Sequence, residues 1–289
     1  KRLGVNALKL LVYTRPIDPE FMAAQKAFLE KMKKAAALHD MLLMLEELIH
    51  GRGLGVDPGS LKGEERRRFL LEINQRKADF IIQSVQFIQP YGDILKVEFP
   101  GDGEILPEKG DEERLIPWLE NLESPKEGET PYQAFLRQIP SSGLKPETQQ
   151  RLREAAENLR RLNEETRGKP WVLLSAGKDF GPAFKPEIVL ALYFGADGYM
   201  VGRAFWKDVQ EPKNKETAQQ LTFLRDETEA GMTGRMAWTN WMVKQFGTPV
   251  YDRLKISPED LLRMTLERPD DYGHAYVPEK APEPASVPQ

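Results

Sequence analysis

The sequence predicts an α/β protein in which helices pack outside a parallel sheet, and three observations carry that expectation. Short apolar runs alternate with longer amphipathic stretches five times along the 289 residues. Charged side chains interrupt three successive apolar runs, at Lys9, at Glu46-Glu47 and at Lys96. Small-residue turns then follow the last two runs, at Ser175-Ala176-Gly177 and Gly202-Arg203. In parallel sheets with outer helices, such features at strand ends mark the side where sites are built.

The first strand is read over Val5–Tyr13, with Lys9 inside it. Asp18-Pro19-Glu20 then supplies an N-cap, a proline at the first helical position and an acid in the first turn. The helix that follows carries Phe21, Ala24, Phe28, Met32 and Ala35 at helical spacing and ends near His39. A second strand over 41–49 contains the two glutamates, and a Gly/Pro loop covers 51–63. A long helix over 65–88 stops at Pro90 and hands over to the strand 92–100, in which Lys96 sits among aliphatic neighbours.

Residues 101–145 are the least regular part, rich in Gly, Pro and Glu, and read as an insertion or lid with few core-forming residues. A helix follows Pro146 and ends before Gly168; its apolar stripe is Leu152, Ala155, Ala156, Leu159 and Leu162. Trp171–Leu174 is a strand running into Ser175-Ala176-Gly177. A helix over 183–194 leads to a last strand over 198–203, and helical segments fill 207–268. The domain expected is therefore 1–268, with a proline-rich, disordered tail over 269–289.

Composition narrows the function. A net charge of −4 with a pI near 5.7 argues against a nucleic-acid or membrane-surface protein. No run reaches the ~18–20 apolar residues of a membrane span, and no secretory leader opens the sequence, so the cytoplasm is the expected compartment. Zero cysteines remove disulfides, a thiol nucleophile and thiolate metal sites. The only histidines, His39, His50 and His274, are scattered, and no metal or other cofactor is expected.

A lysine inside an apolar strand is costly, because desolvation disfavours its ammonium form. A snorkelling side chain at a sheet edge would explain one such case. Three interrupted strands in succession are better explained by charges converging on one site. Two lysines and a glutamate suit imine catalysis. One amine attacks a ketone, a second cation polarises the carbonyl oxygen, and the carboxylate moves a proton on a substrate hydroxyl. The two small-residue turns suit a phosphate grip of backbone amides, the Ser175 hydroxyl and the Arg203 guanidinium.

These residues resemble those of the class I tagatose 1,6-bisphosphate aldolases. The similar segments are 4–9, 25–28, Leu45-Glu46 with Leu48, 75–77, 93–100, 174–177 and 202–206. Those around Lys96 and Gly202 are the most specific. The resemblance implies an eight-stranded (β/α)8 TIM barrel, of which this sequence spans the fourth to eighth strands. It implies Lys96 as the Schiff-base lysine, Glu46 as the acid/base and Lys9 as the supporting cation. Ser175, Gly177, Gly202 and Arg203 would hold the phosphate of the dihydroxyacetone phosphate half. Glu98 is expected to point into the barrel beside Lys96, and Glu47 to face the helices.

The first three β/α units have no counterpart, so the sequence is expected to be part of a longer protein, with open apolar strand edges if taken alone. The substrate class is a phosphorylated ketose, and a homo-oligomer is compatible with the reading. Two alternatives stay open: an aldolase for a sulfosugar phosphate or fructose 1,6-bisphosphate, and a non-catalytic sensor of sugar phosphates.

Overall fold

A computed structural model describes residues 7–49, 58–210 and 216–249, with Arg253 and Ser257. Five parallel strands form one sheet in simple sequential order: β1 (Ala7–Thr14), β2 (Leu42–Ile49), β3 (Ile94–Val97), β4 (Trp171–Leu173) and β5 (Gly198–Tyr199). Helix α1 (Pro19–Leu38) joins β1 to β2, and α2 (Gly63–Ile88) joins β2 to β3. Helices α3 (Glu112–Glu120), α4 (Pro131–Gln138) and α5 (Pro146–Glu165) lie between β3 and β4. Helix α6 (Phe184–Tyr193) precedes β5; α7 (Arg203–Trp206), α8 (Thr217–Arg225) and α9 (Met232–Phe246) follow it.

Strands that always add on the same side, through crossovers of one hand, put every helix on one face of the sheet. The burial pattern agrees. Facing the helices, Val12, Leu43, Leu45, Leu95, Val97, Trp171 and Leu173 are buried and join the main core. On the opposite face, Leu11, Tyr13, Leu42 and Met200 are 39–51% exposed. Among the described residues the sheet is open, with β1 and β5 as its edges, as expected for five strands taken alone; a closed barrel is not shown.

Two aspartates set the strand starts. Asp93, just before β3, accepts from the Leu43 amide at 2.8 Å, and its own amide donates to the Leu43 carbonyl at 2.7 Å. Asp197, just before β5, accepts from the Trp171 amide at 2.8 Å. Each carboxylate takes the donor at the head of the neighbouring strand, which pins the register there.

Two sequence readings need correction. The buried stripe of α1 runs through Met22, Gln25, Leu29, Met32 and Ala36; Ala24, Phe28 and Ala35 are exposed. Both stripes have helical spacing, and the sheet packs against the one headed by Leu29. Residues 101–145 are not poor in core residues. Leu106, Leu115, Leu119, Leu122, Phe135 and Ile139 from this segment are buried in the main core, so it is built into the body rather than laid over it. The tail 269–289 lies outside the described residues, as do the last part of the helical segment 207–268 and His50 and His274. His39 caps the C-terminus of α1 and is exposed.

Candidate functional site

Three adjacent strands bring Lys9, Glu46 and Lys96 together. In the parallel ladders Glu46 pairs with Leu11 on one side and Lys96 on the other, so alternation puts Lys9, Glu46 and Lys96 on the uncovered face. The Lys96 ammonium lies 3.0 Å from one Glu46 oxygen, and Lys9 donates to the other. Glu46 and Lys96 are 8% and 9% exposed, the deepest charged pair on that face. Burial alone would raise the Glu46 carboxyl, but hydrogen bonds from Lys9 and Lys96 outweigh it and hold the group below the usual carboxylate range.

Lys9 does not match its sequence reading as a buried lysine. Its side chain is 48% exposed, because β1 is an edge strand on an uncovered face. It reaches inward to Glu46 while its stem stays near solvent.

Glu98 departs from expectation more sharply. It lies one residue past β3 and lines a cavity of about 650 Å³ together with Lys77, Asp102, Gly177 and Lys178, a cavity that Lys96 does not line. Burial raises its carboxyl, with Lys77 and Lys178 offsetting part of that effect and Asp102 adding to it. The strand ends at Val97, so period-two alternation no longer governs the next residue. Glu47 faces the helices as expected. It is fully buried, and neither carboxylate oxygen has a hydrogen-bond partner among the described residues. Burial, then repulsion from Glu98, pushes it well above the usual range, and the Lys77 charge offsets only part of that.

The four residues expected to grip phosphate fall at the ends of β4 and β5. Ser175 is buried two residues past β4. Ala176 and Gly177 both have positive φ, at 47° and 78°, which turns the chain sharply back. A Cβ on Gly177 would lie 3.3 Å from the Arg203 guanidinium, so the guanidinium lies beside this turn. Gly202 caps α7, and Arg203 is its first residue, exposed and without an ion pair to any described residue. The turn after β4 and the arginine after β5 are thus brought together.

One charged group was not legible in the sequence. Lys178 binds Glu187 and, at 3.0 Å, Asp102; Asp102 in turn lies 3.6 Å from Lys77. Glu187 also accepts from the Gly103 amide at 2.7 Å. Burial works against the Lys178 ammonium, but Glu187 and Asp102 more than compensate and hold it above the usual lysine range. Burial also works against ionised Asp102, and Lys178 and Lys77 overcome it to hold that carboxyl far below its usual range. These residues sit on a helix and in loops, where charges are ordinary, so only their burial distinguishes them.

No group of His, Asp and Glu among the described residues is arranged to hold a metal ion. No helix among them is long and apolar enough to cross a membrane. Compared with known protein families and with curated proteins, the sequence matches none.

Proposed function

We propose that the protein is a class I, Schiff-base aldolase that cleaves a ketose bisphosphate, D-tagatose 1,6-bisphosphate first among them. The products would be dihydroxyacetone phosphate and glyceraldehyde 3-phosphate. The observation that carries this reading is the Glu46 carboxylate held between two ammonium groups on adjacent strands, with Lys96 at 3.0 Å. The phosphate end of the substrate would rest on Ser175, Gly177, Gly202 and Arg203, of which Gly177 and Arg203 are neighbours.

In this mechanism the free amine of Lys96 adds to the ketone carbon, and the carbinolamine loses water to give a protonated imine. Glu46 takes the proton of the hydroxyl on the fourth carbon as the bond between the third and fourth carbons breaks. The electron pair moves into the imine, giving an enamine, and the aldehyde leaves. Protonation of the third carbon and addition of water then release dihydroxyacetone phosphate and restore the amine. Lys9 keeps Glu46 ionised and polarises the departing oxygen.

The same proposal takes the sheet as one wall of a (β/α)8 barrel. Sequential strand order, helices on one side and a charged centre on the other support it. Another phosphorylated ketose would use the same chemistry, since the far end of the substrate decides that choice.

Borohydride reduction in the presence of dihydroxyacetone phosphate, followed by peptide mass mapping, tests the reading. A reduced adduct on Lys96, absent in Lys96→Ala, is expected. Reduction that leaves every lysine unmodified removes the imine mechanism.

A further inference from the structure

The cavity of about 650 Å³ is of a size that holds a small organic molecule; it shares Gly177 with the proposed phosphate grip, but Lys96, Glu46, Lys9, Ser175, Gly202 and Arg203 do not line it. Its wall is charged, yet most of that charge is already matched. Arg66 grips Glu104 through both carboxylate oxygens, at 3.1 and 2.9 Å. Lys178 is shared by Asp102 and Glu187, and Asp179 is bound by Lys207. A phosphate ester entering here would meet four acids, Glu98, Asp102, Glu104 and Asp179, against three cations, Arg66, Lys77 and Lys178, of which only Lys77 has no hydrogen bond to a described residue, so the wall as a whole does not favour a strong anion.

Two groups remain with hydrogen-bonding capacity to spare. The Lys77 side chain is 14% exposed and has an ion pair with Asp102 at 3.6 Å, but no hydrogen bond to a described residue. All three of its N–H donors are therefore available for an acceptor. Glu98, 8% exposed, lines the same space. Burial favours its protonated form, which both donates and accepts. Phe180 adds an aromatic surface to the lining, held by edge contacts to Phe205 and Trp238 at centroid distances of 5.8 and 5.7 Å.

We propose that this cavity binds an uncharged polyhydroxylated molecule of hexose size, distinct from the phosphorylated ketose of the imine site. A sugar hydroxyl accepts from Lys77 while its own proton goes to a carboxyl oxygen. Neighbouring hydroxyls on one ring can therefore satisfy Lys77 and Glu98 together. The C–H face of the ring supplies the apolar contact for Phe180. This assignment does not need the aldolase reading, although the two sites share Gly177.

Saturation-transfer NMR on the full chain tests it, using D-glucose, D-galactose, D-mannose and D-fructose, with fructose 6-phosphate as the charged comparison. Transfer to the ring protons of at least one free hexose is expected. It should persist in Lys96→Ala and Arg203→Ala and weaken by about tenfold or more in Lys77→Met and Phe180→Ala. A measurement on the unaltered protein guards against misfolded variants: the same hexose should slow acetylation of Lys77, read by peptide mass mapping. The proposal is overturned if no free hexose receives transfer, if only the phosphate ester does, or if transfer disappears in Lys96→Ala. It is overturned equally if a bound hexose leaves the acetylation rate of Lys77 unchanged.

Discussion

Between Lys9 and Lys96, the Glu46 carboxylate keeps its charge despite being 8% exposed, and that has a measurable sign. Its folded pKa is lowered, so its contribution to stability is present above the unfolded value of about 4.3 and is lost as pH falls through the folded one. Glu46→Gln should therefore be destabilised relative to wild type at neutral pH, with the gap in denaturant unfolding narrowing on acidification below about 4.3. A gap independent of pH would detach the carboxylate from its lysines. In the proposed reaction the same variant should still trap dihydroxyacetone phosphate while kcat falls by about 10²–10⁴. Arg203→Ala should instead weaken binding of the phosphate ester by about 1.5–3 kcal/mol, read as a rise in KM with kcat little changed. Glu47 carries the opposite sign. Its folded pKa is raised, so stability is lost as pH climbs above the unfolded value. Glu47→Gln should raise the melting temperature at pH 8 and leave it nearly unchanged at pH 4. The charges on β1, β2 and β3 were legible because aliphatic runs make a lysine or glutamate conspicuous. Lys77, Asp102 and Lys178 were not, because nothing around them in sequence says that they are buried.

At the scale of the element, the strand–helix alternation was readable from apolar periodicity and from breakers such as Pro90 and Pro146. What periodicity could not decide was the face of α1. Ala24, Phe28 and Ala35 form a stripe as regular as that of Leu29 and Ala36, and only tertiary packing chooses between them. Nor could composition show that the segment 101–145 is held in place by close backbone contact. Gly103 marks that contact: a Cβ there would sit 1.9 Å from the Ala183 carbonyl oxygen, which is backbone and cannot rotate away. The Gly103 amide bonds Glu187 in the same place, so the loop after β3 is clamped on the start of α6. Gly103→Ala should cost about 1–3 kcal/mol or more, seen as a lower denaturation midpoint. A midpoint equal to that of wild type would mean that this contact yields easily.

For the molecule as a whole, both the sheet's parallel character and its open edges were legible, the first from strand–helix alternation and the second from the missing first three β/α units. One consequence is an apolar surface. Leu11, Tyr13 and Leu42 are 43–51% exposed on the face that no helix among the described residues covers. The protein should bind an apolar fluorescent dye and show concentration-dependent sedimentation, and Leu42→Lys should reduce both without lowering the melting temperature. Absence of dye binding in the wild type would show that this face is covered in solution. A second consequence follows from two acids standing side by side in β2. Were that strand to slide one position against its neighbours, Glu47 would swing over to the lysines and a carboxylate would still greet them. The acids therefore cannot police the reading frame of the strand. That task falls to Leu43 and Leu45, which the same slide would evict into water, so the fidelity of the charged centre is guarded from behind by two side chains that never touch it.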